Sequence, residues 1–348
     1  MLLLVWLKLC LETIYKSVNL CYNRYNFKKF YGGYINMEMT EKLKERFVRD
    51  CKIPIRLYAE PYFTERLELL DKYYDTLSKW RAFCEEVEKF PNEEEYLAMY
   101  NSTKEAAMDF IKSRPGYERF NKEDMNQFAV KNKNLPAKDI FKPSNIGKTF
   151  ISLDIKKANF GSLKAYDSTI FDNAATWEDF IHTFTDSDYI VNSKYIREVI
   201  MGNCNPSRVI TYEKHITDTI LTKLVNAGID IEDVVFFSND EIIINVNKNP
   251  LVILAHIEEV LPTVEVPIRV EQFTFSAVKK NNKIIGYIKE LFDGSYDFKC
   301  FNNQDLLLVM RKLQNEEIRS SDLVFENDGF LAKYIDTPVI TFIKDAEV

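Results

Sequence analysis

The segment VVFFSNDEIIINV, Val234 to Val246, constrains the fold of this chain more than any other. Two runs of β-branched and aromatic residues flank Ser238, Asn239, Asp240 and Glu241. That pattern reads as a hairpin with a polar tip, and Asn-Asp tolerates the positive φ that short turns need. One Asn or Asp would serve the turn, whereas Glu241 is a poor turn residue that begins the second strand. Adjacent acids at the end of a buried hairpin repel each other unless a cation sits there. Two readings stand: a solvated turn, or part of a metal site whose other ligand lies elsewhere in the chain.

Composition narrows the setting. The 348 residues suffice for one large domain or two to three smaller ones. A hydrophobic share of 46% excludes wholesale disorder, and ten glycines are too few for a glycine-rich repeat. A net charge of -7 argues against a simple basic nucleic-acid coat. The charge is uneven, however. Lys131, Lys133, Lys138, Lys142, Lys148, Lys156, Lys157 and Lys164 form a lysine-rich stretch, read as a basic groove or as a solvated surface. The six cysteines show no CxxC spacing, and His182, His215 and His256 form no HxH or HxxxH pair. Zinc and a disulfide framework are therefore disfavoured, and a reducing compartment such as the cytoplasm is expected.

Residues 1–36 read as a non-core extension. MLLLVWLKLCL is apolar but too short and interrupted to span a bilayer, and it is followed by a basic, tyrosine-rich stretch. Met37 or Met39 is the expected working start, and no integral membrane association is expected. Residues 37–148 read as a helical region with a Lys/Asn/Pro linker, because apolar residues recur at three- and four-residue spacing with acids near the starts. Residues 149–278 read as the central domain and 279–348 as a C-terminal α/β part with strands KIIGYIKEL and YDFKCF and helix QDLLLVMRKLQ.

Within the central domain, TFISLDI reads as a strand whose Ser152 and Asp154 alternate with Ile151, Leu153 and Ile155. ANFGSLKAYD is a helix or turn, and TWEDFIHTF and SDYIVNSKYIREVIMGN are two helices, the second stopped by Gly202. PSRVITYEKHITDTILTKLVNAG is a long helix with Asn205 as N-cap, Pro206 at its first position and Gly228 past its end. Val209, Tyr212, Ile216, Ile220 and Leu224 are its expected buried stripe, with Arg208, Thr211, His215, Asp218 and Thr222 opposite. LVILAHIEEVL is a further helix and VPIRVEQFTFSAV a further strand. The GKT in NIGKT is no phosphate loop, because the first glycine is missing and a strand follows.

The order is thus an acid on a first strand, helices, an acidic hairpin, a helix and a strand. If strand and hairpin are neighbours in one antiparallel sheet, Asp154, Asp240 and Glu241 converge on one edge. FISLDIKKANF and FFSNDEIII resemble motifs A and C of the palm-domain polymerases, a superfamily including reverse transcriptases, with an S-x-D-E spelling closer to the Y-family polymerases and to tRNA-His guanylyltransferases. The likeness covers Phe150 to Val278. It implies an α+β fold with an antiparallel palm-like sheet and packed helices, preceded by a mostly helical N-terminal domain resembling fingers and followed by a thumb-like part.

The resemblance further implies a template-dependent polymerase working by two-metal nucleotidyl transfer. Asp154, Asp240 and Glu241 would be the catalytic and metal residues for two Mg²⁺ or Mn²⁺ ions. Partners would be a nucleoside triphosphate, an RNA or DNA primer–template, and other proteins. The position five after the first acid, where palm polymerases use an aromatic to exclude ribose, is Asn159, which would permit a ribonucleotide, unless a one-residue shift lets Phe160 serve. Triphosphate-binding cations would be Lys194, Arg197 and Arg208, which read equally as surface basics balanced by Glu198 and Asp188, with Lys156 and Lys157 secondary. The alternatives are another palm enzyme, such as a nucleotide cyclase or tRNA-end nucleotidyltransferase, and a catalytically inactive scaffold. The Asn/Lys/Ile/Tyr-rich usage fits an AT-rich genome such as a virus's, with a replication site in a host cell.

Overall fold

A computed structural model describes residues 39–136, 140–246 and 249–345. The expectations for residues 1–36 and for Lys138 lie outside the described residues. Helices α1 (Glu41–Asp50), α2 (Tyr62–Tyr74), α3 (Thr76–Val87), α4 (Glu93–Ser113) and α5 (Pro115–Lys122) lead into β1 (Thr149–Ile155). Then come α6 (Ala158–Tyr166), α7 (Trp177–Ile181), α8 (Asp188–Val191), α9 (Lys194–Gly202) and α10 (Pro206–Ala227). The hairpin β2 (Val234–Phe237) and β3 (Glu241–Asn245) follows, then α11 (Pro250–Val260), β4 (Ile268–Lys280), β5 (Lys283–Leu291) and β6 (Tyr296–Lys299). The chain ends with α12 (Asn303–Leu313), β7 (Val324–Asn327), β8 (Phe330–Lys333) and β9 (Ile340–Ile343). The class is α+β with an antiparallel sheet, and among the described residues no helix is long and apolar enough to cross a membrane.

The chain divides into two compact units. The first joins described residues 39–101, Ser193–Tyr195 and Asn303–Thr337. Its core is aromatic: Trp80 meets Phe47 and Phe63 edge-on, and Phe83 meets Tyr96 likewise. Polar ties bind the late segment to the early helices. Arg66 donates to the Val324 carbonyl at 2.6 Å, and Gln314 to the Leu69 carbonyl at 2.8 Å. The helical text from Pro61 to Phe90 is broken between α2 and α3 by Asp75, which takes a left-handed conformation.

The second unit holds the described residues within 102–192, 196–302 and 338–345. Residues 102–136 and 279–302 thus pack with the sheet, and 303–337 with the N-terminal helices. The strand order is β2-β3-β1-β4-β5-β6, with β9 also on β4. The first four strands and the helices between them form a βαββαβ unit, in which β1 lies between β3 and β4, antiparallel to both. Period-two alternation gives this sheet two faces. Ile151, Leu153, Ile242 and Ile244 pack against Ile220 and Leu224 of α10 and Ile253 and Ile257 of α11. On the other face Phe150, Ile243, Phe273, Phe275 and Tyr287 are covered by Ile140 and Ile146. That second apolar layer stops short of the Asp154 end of β1.

Several local expectations change. The segment Ser187–Asn203 forms two short helices, α8 and α9, because the chain breaks at Asn192 and Ser193. Asn205 does not cap α10 with its side chain. It sits left-handed at φ 53, and its amide donates to Asn121 Oδ1 at 2.7 Å. Pro206 and Gly228, the latter at φ 116, take the expected terminal places. The buried stripe of α10 is also rotated. Val209, Glu213, Thr217, Ile220, Leu221 and Leu224 face inward with Asp218, while Tyr212 and Ile216 are half-buried. Asp218 is therefore not on an open polar face. Its carboxylate accepts from the backbone amides of Lys131 and Asn132 at 2.9 and 3.0 Å and from the Asn132 side chain at 2.7 Å, anchoring the linker.

Candidate functional site

The pairing of β1 with β3 places Asp154 directly opposite Glu241. On the other side of β1, Asp154 is opposite Arg269 and Ser152 opposite Glu271. Because side chains alternate, Ser152, Asp154, Glu241, Arg269 and Glu271 share one face. They lie where the aromatic layer over Phe150 and Phe273 ends. Asp240 enters from the hairpin tip, where its carbonyl accepts from the Ile155 amide at 2.9 Å. One strand and one hairpin thus bring the three acids singled out from the sequence to a single sheet end.

The tip is shaped by Ser238 rather than by a left-handed residue. Neither Asn239 nor Asp240 has positive φ. The Ser238 hydroxyl accepts from the Glu241 amide at 3.1 Å and donates to Asp240 Oδ1 at 3.1 Å, and the Ser238 amide donates to the Glu241 carbonyl at 2.9 Å. A serine turn suffices here because the hydroxyl can both accept and donate. The Thr217 hydroxyl on α10 donates to the Asn239 carbonyl at 2.6 Å, fastening the tip from below.

Two cations sit among the acids. Arg269 Nη2 donates to Asp154 Oδ2 at 2.7 Å, and its Nη1 lies 3.3 Å from Glu271 Oε1. Lys289 Nζ lies 3.1 Å from Glu241 Oε1 and 4.7 Å from the centre of the Phe273 ring. Lys289 is only 4% exposed, a fixed part of the site, whereas the Arg269 side chain, held by its two acids, is 53% exposed. The Ser152 hydroxyl donates to Glu241 Oε1 at 2.6 Å. Burial pushes the Asp154 carboxyl above its ordinary range. The Arg269 guanidinium pulls it back, and the charges of Asp240 and Glu241 add to the upward push.

The donor chemistry suits a hard divalent cation. All donors are carboxylate oxygens, and Asp154, Asp240, Glu241 and Glu271 outnumber Arg269 and Lys289. As the side chains stand, no group of three or more His, Cys, Asp or Glu among the described residues is poised around one point. Arg269 would have to leave Asp154 for an ion to share that carboxylate with Asp240.

The residues expected to bind nucleotide are dispersed. Arg208 donates to the backbone carbonyls of Phe120 and Glu123, so it closes the end of α5 instead of facing a triphosphate. An arginine in the first turn of a helix reaches carbonyls as readily as phosphates, and the sequence does not separate the two. Phe160 is buried against Phe171 and Trp177, so its ring is core and not a wall against a sugar. Asn159 is half-buried and its Oδ1 accepts from the Phe160 amide at 2.9 Å. Arg197 is half-buried, and desolvation lowers its affinity for the proton despite Glu198 and Glu178 nearby. Lys157 is spent on Glu178, and exposed Lys194 is counted with the first unit. Lys156 is exposed beside the acids.

Ser152, Ser238, Arg269, Lys289 and Glu213 emerge only from the fold. Glu213 lies on the inward face of α10, 6% exposed. Burial first, and the charge of Asp240 second, push its carboxyl up to about 7. The sequence holds one signal for it: Glu213 and Thr217 sit four apart, in line with Val209 and Ile220, and interrupt an apolar stripe. No protein-family model matches this chain, and no curated protein matches it.

Proposed function

We propose that the chain is a metal-dependent nucleotidyltransferase built on a palm-like sheet, acting as a template-dependent polymerase on a nucleoside triphosphate and an RNA or DNA primer–template. The observation that carries the reading is the register of Asp154 against Glu241 with Asp240 at the adjoining tip, on a βαββαβ sheet of order β2-β3-β1-β4. Two Mg²⁺ or Mn²⁺ ions held by these acids would supply Lewis acidity at the attacking hydroxyl and at the leaving phosphate. The chain's own residues prepare that chemistry. Ser152 and Lys289 fix the Glu241 carboxylate, Ser238 aims Asp240, and Arg269 holds Asp154 and is exposed enough to turn to a phosphate oxygen. Asn159, not an aromatic residue, follows the first acid at the sugar-discriminating distance, which would permit a ribonucleotide substrate.

A second reading, a palm-shaped scaffold without catalysis, is favoured by the cations already paired with Asp154 and Glu241. Incorporation of labelled nucleotide by the full chain separates them, with DNA and RNA primer–templates and Mg²⁺ or Mn²⁺. Template-directed extension in the wild type, lost in both Asp154→Asn and Asp240→Asn, is the expected result. Turnover of free nucleotide without primer would move the reading to a cyclase-like enzyme. No turnover by correctly folded protein under any of these conditions would favour the scaffold.

A further inference from the structure

Glu213 is a largely buried acid that no described residue neutralises. Among the described residues its carboxylate has neither a hydrogen-bond donor nor an ion-pair partner, although only 6% of the residue is exposed. Neighbouring cations on α10 are committed elsewhere. Arg208 serves the carbonyls of Phe120 and Glu123, and Lys214 lies over the Phe237 ring at 5.7 Å. An isolated buried carboxylate is expensive, so such a group carries a proton or meets a cation. The charge that reaches it is another acid, Asp240. Thr217, one turn further along the same helix face, is bonded to Asn239, so the helix face that carries Glu213 is tied to the hairpin tip.

A packing role would be met better by a leucine or a glutamine. Two acids near enough to feel each other's charge, one buried and one half-buried, instead match one hard divalent cation, as clustered carboxylates do generally. We propose that Glu213 is a further acid of this site, pairing with Asp240 from the helix side of the hairpin to hold a divalent cation such as Mg²⁺ or Mn²⁺. The proposal rests on the reading of the hairpin tip as a cation site. It assigns to α10 the role of closing that site from beneath, while Asp154 and Glu241 close it from the sheet face.

Mn²⁺ binding to the full chain, followed by the electron-paramagnetic signal of free Mn²⁺, tests the pair. Wild type, Glu213→Gln, Glu213→Asp, Asp240→Asn and Asp154→Asn are compared, each checked for native circular dichroism. Glu213→Gln and Asp240→Asn should each weaken Mn²⁺ about tenfold or more, and Glu213→Asp should recover part of the loss. Unchanged affinity in folded Glu213→Gln overturns the proposal, as does a wild-type chain that binds no Mn²⁺ at millimolar concentration. Loss of binding in Asp154→Asn with unchanged Glu213→Gln would remove Glu213 and leave the nucleotidyltransferase reading intact. Binding that depends on Glu213 in a protein that extends no primer would keep the pair and remove that reading.

Discussion

Replacing Glu213 by Gln should stabilise the protein at alkaline pH and do nothing at acid pH. The carboxyl moves from an ordinary 4.5 to about 7 in the folded chain. The folded state therefore holds its proton more tightly than the unfolded state. Below pH 4.5 both states are protonated and the group is neutral in its effect. As pH rises from 4.5 towards 7 the unfolded chain releases the proton first, and folding stability falls. Above 7 the loss is complete, and two and a half pKa units correspond to about 3 kcal/mol. Glutamine has nearly the same shape and no proton to lose. Urea denaturation followed by tryptophan fluorescence, with chelator present, should give equal stabilities for the two proteins at pH 4.5. At pH 8 Glu213→Gln should be more stable by about 3 kcal/mol. Because every other titrating group is common to both proteins, only the difference matters. A gap that stays constant with pH, or a less stable variant at pH 8, would refute an unpaired buried acid at this position.

Three further perturbations probe the frame around the acids. Lys289→Met should destabilise by about 2–3 kcal/mol by leaving Glu241 with Ser152 as its one remaining side-chain donor among the described residues, and Lys289→Met combined with Glu241→Gln should recover most of that in urea denaturation. Gly286→Ala should cost about 1–3 kcal/mol, since an added Cβ would lie 2.5 Å from the Phe301 ring; a thermal midpoint equal to wild type would show that the ring yields freely. Asp218→Ala should release the linker at Lys131 and Asn132, seen as faster limited proteolysis between residues 129 and 136, with the sheet's amide exchange unchanged.

What could be read from the sequence was local. The hairpin, β1 and the ends of α10 follow from apolar periodicity, from Pro206 and from Gly228, all of which act over a few residues. The convergence of Asp154 with the hairpin needed one further assumption, adjacency in the sheet, and the sheet meets it with the two residues in register. Arg269 and Lys289 were out of reach, because they approach the acids from β4 and β5, more than a hundred and about fifty residues away along the chain. Glu213 was hidden for a different reason. The apolar residues Tyr212 and Ile216 outbid it for the stripe, yet both are only half-buried, Tyr212 among the rings of Phe120, Phe128 and Tyr166 and Ile216 at the edge of the aliphatic layer. Arg208 shows the converse: a charge placed well for a ligand is taken by its own backbone.

The alternation along β1 also guards the assembly of the sheet. Ile151, Leu153 and Ile155 go to the helix-covered layer, and Ser152 and Asp154 to the other. A slip of one residue against β3 would carry the Asp154 carboxylate into that oily layer and bring three aliphatic side chains out of it. The acid is thus a key that fits one alignment of the strands. Whatever Asp154 does once the chain is folded, it first vetoes the wrong pairing during folding, and an apolar residue in its place would leave β1 with two nearly equivalent ways to lie.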